Sequence, residues 1–364
     1  MVKSKKLTKK DKKILYINIT ISLITLLICF LTVFIYINYI FKKPVKEVKE
    51  IVLNREISDG VDRVYNSIVT VENYIADKLY STGTGFVYKK DNEKIYIVTN
   101  HHVIDSANEI YVIFPNDLKY KTKVIGYDEY QDVAVLSIPL NDTINEVLIG
   151  SSKDMKIGDT TFVVGTPINQ KAYSFTVTKG ILSGKDRLVE YSFDSQYRKD
   201  ETNYIKVLQT DAAINSGNSG GALCNLDGEV IGVINLKISS DNVEGIGFAI
   251  PIEDVVIFAD KIIKGEPIVR PSLPFSYEDI IIDDKELVKV RTINKDNEEK
   301  YNIKEDDIIK KIDKEDVKNS SYLKYLINNR NVGDIIEIVY ERIEKDNDNN
   351  EIKNEFTINI TLEK

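Results

Sequence analysis

The chain has 364 residues, enough for two domains and an anchor, and 43% of them are apolar, as in an ordinary globular protein. A formal net charge of −8 argues against nucleic acid as the main partner. Two cysteines, Cys29 and Cys224, make no disulfide framework, and Cys29 sits in an apolar segment unsuited to pairing with Cys224.

Residues 1–13 are rich in lysine and form a basic tail. Residues 14–41 carry no charge and exceed the roughly 20 apolar residues that cross a bilayer. No small-x-small cleavage pattern follows, which favours a transmembrane helix over a cleaved signal peptide. Lysine is denser before this span than after it, where Lys42, Lys43, Lys46 and Lys49 stand. That asymmetry predicts a single-pass cell-membrane protein with a cytoplasmic amino terminus and the remainder outside the cytoplasm. Residues 42–60 are charged and read as a linker, with a short helix expected over 46–55.

From residue 61 to 266 the chain breaks into short β-branched runs separated by turn residues. Such runs lie at 85–88, 95–98, 110–114, 133–136, 161–164 and 230–234. This spacing predicts a mostly β fold, a sandwich or barrel. Pro267, Pro271 and Pro274 mark a boundary. Residues 267–364 mix strands with a helix over 320–329, whose apolar positions are Tyr322, Leu323, Tyr325 and Leu326. Gly333-Asp334 then turns the chain into a strand that ends at Arg342, and residues 344–351 read as an exposed hairpin loop.

The richest segment is Asn215-Ser216-Gly217-Asn218-Ser219-Gly220-Gly221. Glycines on both sides let a substrate carbonyl approach the Ser219 hydroxyl, and let backbone N–H groups converge on one point. A serine hydroxyl is a weak nucleophile alone, so this run predicts a base. His102 is the candidate, and Asp132, ahead of an apolar strand, is the matching carboxylate. His101 is the rival base. At a strand end the two histidines would point to opposite sides, so one alone faces the serine. Asp105 and Asp128 are rival carboxylates that read as turn or surface residues. Asp211 reads as structural and Cys224 as core. No further histidine exists to complete a metal site, and no metal, nucleotide or other cofactor is implied.

These segments resemble the trypsin-like serine proteases and, within them, the HtrA (Deg) family. Gly83-Thr84-Gly85-Phe86, Thr99-Asn100-His101-His102-Val103, Asp132-Val133-Ala134-Val135-Leu136, Val164-Gly165-Thr166-Pro167, Thr178-Lys179-Gly180-Ile181, the Ser219 run and Gly245-Ile246-Gly247-Phe248-Ala249-Ile250-Pro251 follow the family's order. The resemblance implies a double β-barrel protease domain over 61–266. It assigns Ser219 as nucleophile, His102 as general base, Asp132 as the acid that orients it, and the Gly217 and Ser219 N–H groups as the oxyanion hole. By the same resemblance Ala213, Ile214 and Leu236 line the primary substrate pocket. None is charged, which predicts cleavage after small or medium apolar residues. Asn218 stands where digestive relatives carry an aspartate. That departure suggests activation by loop ordering instead of propeptide clipping.

Residues 267–364 resemble a PDZ domain more loosely, an α+β module. Asp306 replaces a glycine of the family's Gly-Asp pair. Pro274, in the segment Ser272-Leu273-Pro274-Phe275, removes one donor from the loop that would capture a terminal carboxylate. The family likeness implies a homotrimer that degrades misfolded or exported proteins. Two other functions fit the same residues. One is a non-catalytic chaperone or peptide-binding protein, and the other is a regulatory protease with one dedicated membrane substrate.

Overall fold

The β-branched runs become strands because most of them are buried on both faces. The computed structural model describes residues 9–41, 56–166, 175–192, 202–235, 245–345 and 351–364. Helix α1 (Lys9–Phe41) belongs to a unit of its own. Within it Lys12–Ile37 is long and apolar enough, by length and composition, to cross a membrane. The helix expected over 46–55 lies outside the described residues. The second unit is already ordered at α2 (Ile57–Val64), which begins within the last residues of the stretch expected to be linker and buries Gly60 there.

The first sheet comprises β1 (Ile68–Ile75), β2 (Lys78–Lys90), β3 (Lys94–Thr99), β4 (Glu109–Ile113), β5 (Lys119–Lys121), β6 (Lys123–Asp128) and β7 (Val133–Pro139), in the order β5-β4-β1-β2-β3-β7-β6. The short helix α3 (His101–Ile104) follows β3. The second sheet comprises β8 (Leu148–Ile149), β9 (Thr160–Gly165), β10 (Thr176–Ser192), β11 (Thr202–Thr210), β12 (Ala222–Asn225), β13 (Glu229–Ile234) and β14 (Gly247–Pro251), in the order β12-β9-β10-β11-β14-β13-β8. A further β12–β13 pairing closes it into a barrel. Helix α4 (Ile252–Lys264) then packs on the join.

Side-chain alternation explains the continuous apolar runs. On β3, Ile95 and Ile97 enter the core of the first sheet, whereas Tyr96 and Val98 face a shared core. On β9, Val163 fills the second barrel, whereas Phe162 and Val164 face that same shared core. The two barrels are therefore welded by one apolar cluster that also takes Val255, Ala259 and Ile262 of α4.

The third sheet comprises β15 (Phe275–Ile282), β16 (Lys285–Ile293), β17 (Ile308–Ile312), β18 (Glu315–Asp316), β19 (Ile335–Lys345) and β20 (Glu351–Thr361). Helices α5 (Lys295–Tyr301) and α6 (Ser320–Asn328) accompany it. It has its own core, with Val288, Val290, Leu323, Ile338, Tyr340 and Ile360. The expected end of its long strand at Arg342 is corrected: β19 runs on to Lys345 and pairs with β20 as far as Glu351. Arg342 interrupts the apolar pattern but not the strand, because its Nε and Nη2 donate to the buried Asp307 carboxylate at 2.8 and 2.7 Å. Of the expected hairpin loop, residues 346–350 lie outside the described residues. The segment proposed as the carboxylate loop is engaged within the module: the Ser272 N–H donates to the Glu363 carbonyl, and the Pro274 carbonyl accepts Asn297 Nδ2 at 3.1 Å.

Candidate active site

His102 and Asp132 come from the first barrel. Helix α3 starts directly after β3, and its N-cap residue Asn100 makes no side-chain cap. The Asn100 amide instead donates to the backbone carbonyl of Asp132 at 2.9 Å. Asp132 closes the turn before β7 with φ of 52°, a left-handed conformation that aspartate tolerates better than most residues. Its side chain is buried and receives N–H groups from several sides. The His102 backbone N–H donates to Oδ1 at 2.8 Å, Asn235 Nδ2 to Oδ2 at 2.8 Å, and His102 Nδ1 lies 2.5 Å from Oδ2.

Burial pushes the Asp132 carboxyl up, but the His102 imidazole and the hydrogen bonds from His102 outweigh it and hold it below the ordinary carboxylate range. An ionised carboxylate only accepts hydrogen bonds. Nδ1 therefore carries the imidazole hydrogen, and Nε2 is left with a lone pair to take a proton.

Ser219 comes from the loop between β11 and β12 in the second barrel. Its carbonyl accepts the Thr84 N–H from β2 at 2.8 Å, and Gly220 N–H donates to the Ile234 carbonyl at 2.9 Å. The loop is thus tied to both barrels at once. Gly83 is the point where the pieces meet. A Cβ there would lie 2.5 Å from Val103 Cγ1 and 3.2 Å from the Ser219 carbonyl oxygen. Without a side chain at Gly83, the neighbour of His102 and the Ser219 backbone can pack against the same strand. Gly217 and Gly220 take φ of 98° and 81°, which other residues rarely adopt.

The sequence reading of the histidine pair is corrected in one respect. They lie on a four-residue helix, not at a strand end, so successive side chains are about 100° apart. His101 stacks on Tyr127 with ring centroids 4.3 Å apart, and burial pushes its imidazole down. Asp105 is exposed. Asp128 is neither a turn nor a surface residue: it ends β6, where it pairs with Val133, and it is buried and held by Arg270 Nη2 at 2.5 and 2.6 Å. Asp211 accepts the Ile181 N–H at 2.6 Å, and Cys224 is buried with its thiol pushed up by burial. Of the pocket residues, Ala213 is exposed and its carbonyl accepts the Thr178 hydroxyl at 2.9 Å. Ile214 packs on the second barrel's core and covers Gly247, where a Cβ would overlap its Cδ1. Leu236 lies outside the described residues. Among the described residues no His, Cys, Asp and Glu cluster is arranged to hold a metal.

The sequence reading misses Asn100 and Asn235. Each stands at the end of an apolar strand, after Thr99 and after Ile234, and each is at most 1% exposed. A polar amide at the end of a buried run is the signal that could have found them, since buried polar groups need partners.

A closed β-barrel joined to a second curled sheet, with histidine on a short helix and aspartate and serine on turns near the join, is the architecture of a trypsin-like peptidase. Residues 83–233 match the trypsin-like peptidase domain family. Over 338 residues the chain is 32% identical to the serine protease Do-like HtrA of Lactococcus lactis, covering 81% of this chain and 82% of that protein. It is 35% identical over 315 residues to the serine protease Do-like HtrA of Lactobacillus helveticus, covering 80% and 74%. The crystal structure of the serine endoprotease from Yersinia pestis superimposes with a TM-score of 0.60 at 28% identity, covering 85% of this chain and 97% of that one. The chain belongs to the HtrA serine protease family and is a serine endopeptidase.

Proposed function

We propose that this chain is a membrane-tethered protease that cuts misfolded or exported proteins after small or medium apolar residues. Ser219 Oγ attacks the scissile carbonyl carbon, the C=O electrons move onto oxygen, and the hydroxyl proton passes to His102 Nε2. The Gly217 and Ser219 N–H groups face the new oxyanion. When the tetrahedral centre collapses, the C–N bond breaks and His102 returns the proton to the departing amine. Water then repeats the sequence on the acyl-enzyme and frees the acid. Asp132 keeps Nδ1 protonated throughout. Losing the corresponding carboxylate in related chemistry lowers turnover about 10⁴-fold.

The observation that carries this reading is the buried Asp132 carboxylate with His102 Nδ1 at 2.5 Å and Asn235 at 2.8 Å. Ile214 over Gly247 supports a shallow apolar pocket. The apolar span of α1 supports the tether, and the basic tail supports a cytoplasmic amino terminus. We read residues 61–266 as the protease domain and 267–364 as a PDZ-like domain, in a homotrimer. The test is labelling with a fluorophosphonate probe, run beside digestion of unfolded casein. The intact chain should be labelled and should digest casein, and Ser219→Ala should do neither. Casein digestion that survives Ser219→Ala would overturn the assignment. An intact chain that neither labels nor digests would favour a chaperone on the same scaffold.

A further inference from the structure

We propose that Thr84 is a positioning residue for the reaction: its side-chain hydroxyl fixes the peptide plane between the two N–H groups that receive the oxyanion. This rests on reading Ser219 as the nucleophile and Gly217 and Ser219 as the oxyanion donors. Thr84 lies on β2, in the other barrel, and is fully buried. Its hydroxyl donates to the Gly217 carbonyl at 2.7 Å and accepts the Thr166 N–H at 2.9 Å. Its N–H donates to the Ser219 carbonyl at 2.8 Å, and its carbonyl accepts the Thr99 hydroxyl at 2.7 Å. Every polar group of this one residue is engaged, and two of its partners flank Asn218 in the nucleophile loop.

A peptide plane carries its C=O and N–H in opposite directions. The plane between Gly217 and Asn218 is gripped at both ends, by Thr84 on the oxygen and by the Asn215 carbonyl, 3.0 Å from the Asn218 nitrogen. The N–H of Gly217 lies just before this plane and the N–H of Ser219 just after it. The two N–H groups are joined through this plane, so an uncompensated turn about Gly217 ψ or Asn218 φ would change the direction of one relative to the other. Gly217, with φ of 98° and no Cβ, offers little resistance to such a rotation. The restraint comes from outside the loop, through the Thr84 hydroxyl. The Thr84 methyl group packs beside Gly221, 3.4 Å from where a Cβ would stand, so the hydroxyl is the part of the side chain that reaches Gly217.

The test compares Thr84→Val, which keeps the shape and removes the hydroxyl, with Thr84→Ser, which keeps the hydroxyl, in the full chain. For Thr84→Val, kcat on casein should fall about tenfold to a hundredfold, less than the roughly 10²–10³ lost when a donor of the hole is deleted outright. KM should stay unchanged. Affinity for a peptide boronate, which forms a tetrahedral adduct on the serine, should fall by the same factor as kcat. The pH midpoint of activity should not move, because His102 and Asp132 are untouched. Thr84→Ser should stay within about threefold of the parent on all of these, since it retains the bond that is worth about a factor of ten. Should Thr84→Val fail to fold, Thr84→Ala against Thr84→Ser isolates the hydroxyl alone and the same differences are expected. The proposal falls if the hydroxyl-free variant keeps full kcat and boronate affinity, or if Thr84→Ser is equally impaired. Ser219→Ala, run in parallel, separates the two levels: activity surviving there removes the nucleophile assignment itself. Its loss beside a fully active Thr84→Val removes only the role of Thr84.

Discussion

Arg270, in the segment between α4 and β15, is tied to the end of β6 just before the turn that presents Asp132, and the strength of that joint follows from its geometry. Nη2 lies 2.5 and 2.6 Å from the two Asp128 oxygens, and the guanidinium sits 4.5 Å from the Tyr130 ring and 5.5 Å from the Phe258 ring. The side chains of Asp128 and Arg270 are 5% and 19% exposed. Removing one partner of a buried pair typically costs about 3–5 kcal/mol, chiefly because the other charge stays buried without its counter-ion. After Arg270→Gln the Asp128 carboxylate would keep, among the described residues, the Gln131 N–H, now at 2.8 Å. Because Arg270 is partly solvated, the expected loss lies at the lower end, about 3 kcal/mol. Asp128→Asn combined with Arg270→Gln buries no charge and should come within about 1 kcal/mol of the parent, the usual net worth of a hydrogen bond. The assay is urea denaturation of the full chain across the double-mutant cycle, with casein turnover measured on each variant. Turnover should fall severalfold in Arg270→Gln and return in the double variant, because the turn that follows β6 carries Asp132. A coupling energy below about 0.5 kcal/mol, the level at which independent sites simply add, would refute the reasoning.

Three further outcomes follow from these residues. Asn235→Ala removes a charge-assisted hydrogen bond to Asp132, worth about 1.5–3 kcal/mol, so steady-state kinetics should show kcat down by at least about tenfold. Asp132 has a depressed pKa in the folded chain, so its contribution to stability is present above the ordinary carboxylate range and is lost as pH falls through the folded value. The stability gap between Asn235→Ala and the parent should therefore narrow in acid, as read from melting temperatures across pH. His101 is also depressed, by burial, so the folded chain favours the neutral ring while the unfolded chain protonates first. Stability should decline as pH falls below about 6.5 toward the folded value, and His101→Gln should flatten that part of the melting profile.

The mostly β fold was legible because β3, β7 and β9 bury both faces, and a strand of that kind writes an unbroken β-branched run such as Val133-Ala134-Val135-Leu136. The residues proposed as the triad could be named because each stands inside a short motif that resembles the family's, in the family's order. What holds them could not be named. Asn100, Asn235 and Thr84 act through contacts 32, 103 and 133 residues away along the chain, and a single sequence carries no sign of which distant partner a buried amide or hydroxyl meets. The histidine pair was misplaced for a different reason. Four residues are too few to tell a period of two from a period of 3.6. Arg342 lies inside its strand and not at the end of it, because Asp307, 35 residues away along the chain, supplies it with a buried counter-ion.

The site belongs to neither barrel. Asp132 sits on the first barrel and receives Asn235 from the second, while the Ser219 loop leaves the second barrel and is held by Thr84 of the first. Each exchange crosses the join sealed by Val98, Val133 and Val135 on one side and Val164, Ala222 and Val233 on the other. These side chains share strands with residues that fill the barrel interiors, so a one-residue slip in β3, β7 or β9 would swap the two cores. Register in the strands therefore sets the alignment of loops that carry little regular structure themselves. Packing at that join, and not the loops' own conformational preference, is what holds Asn235 of one barrel on Asp132 of the other and the Ser219 loop on Thr84.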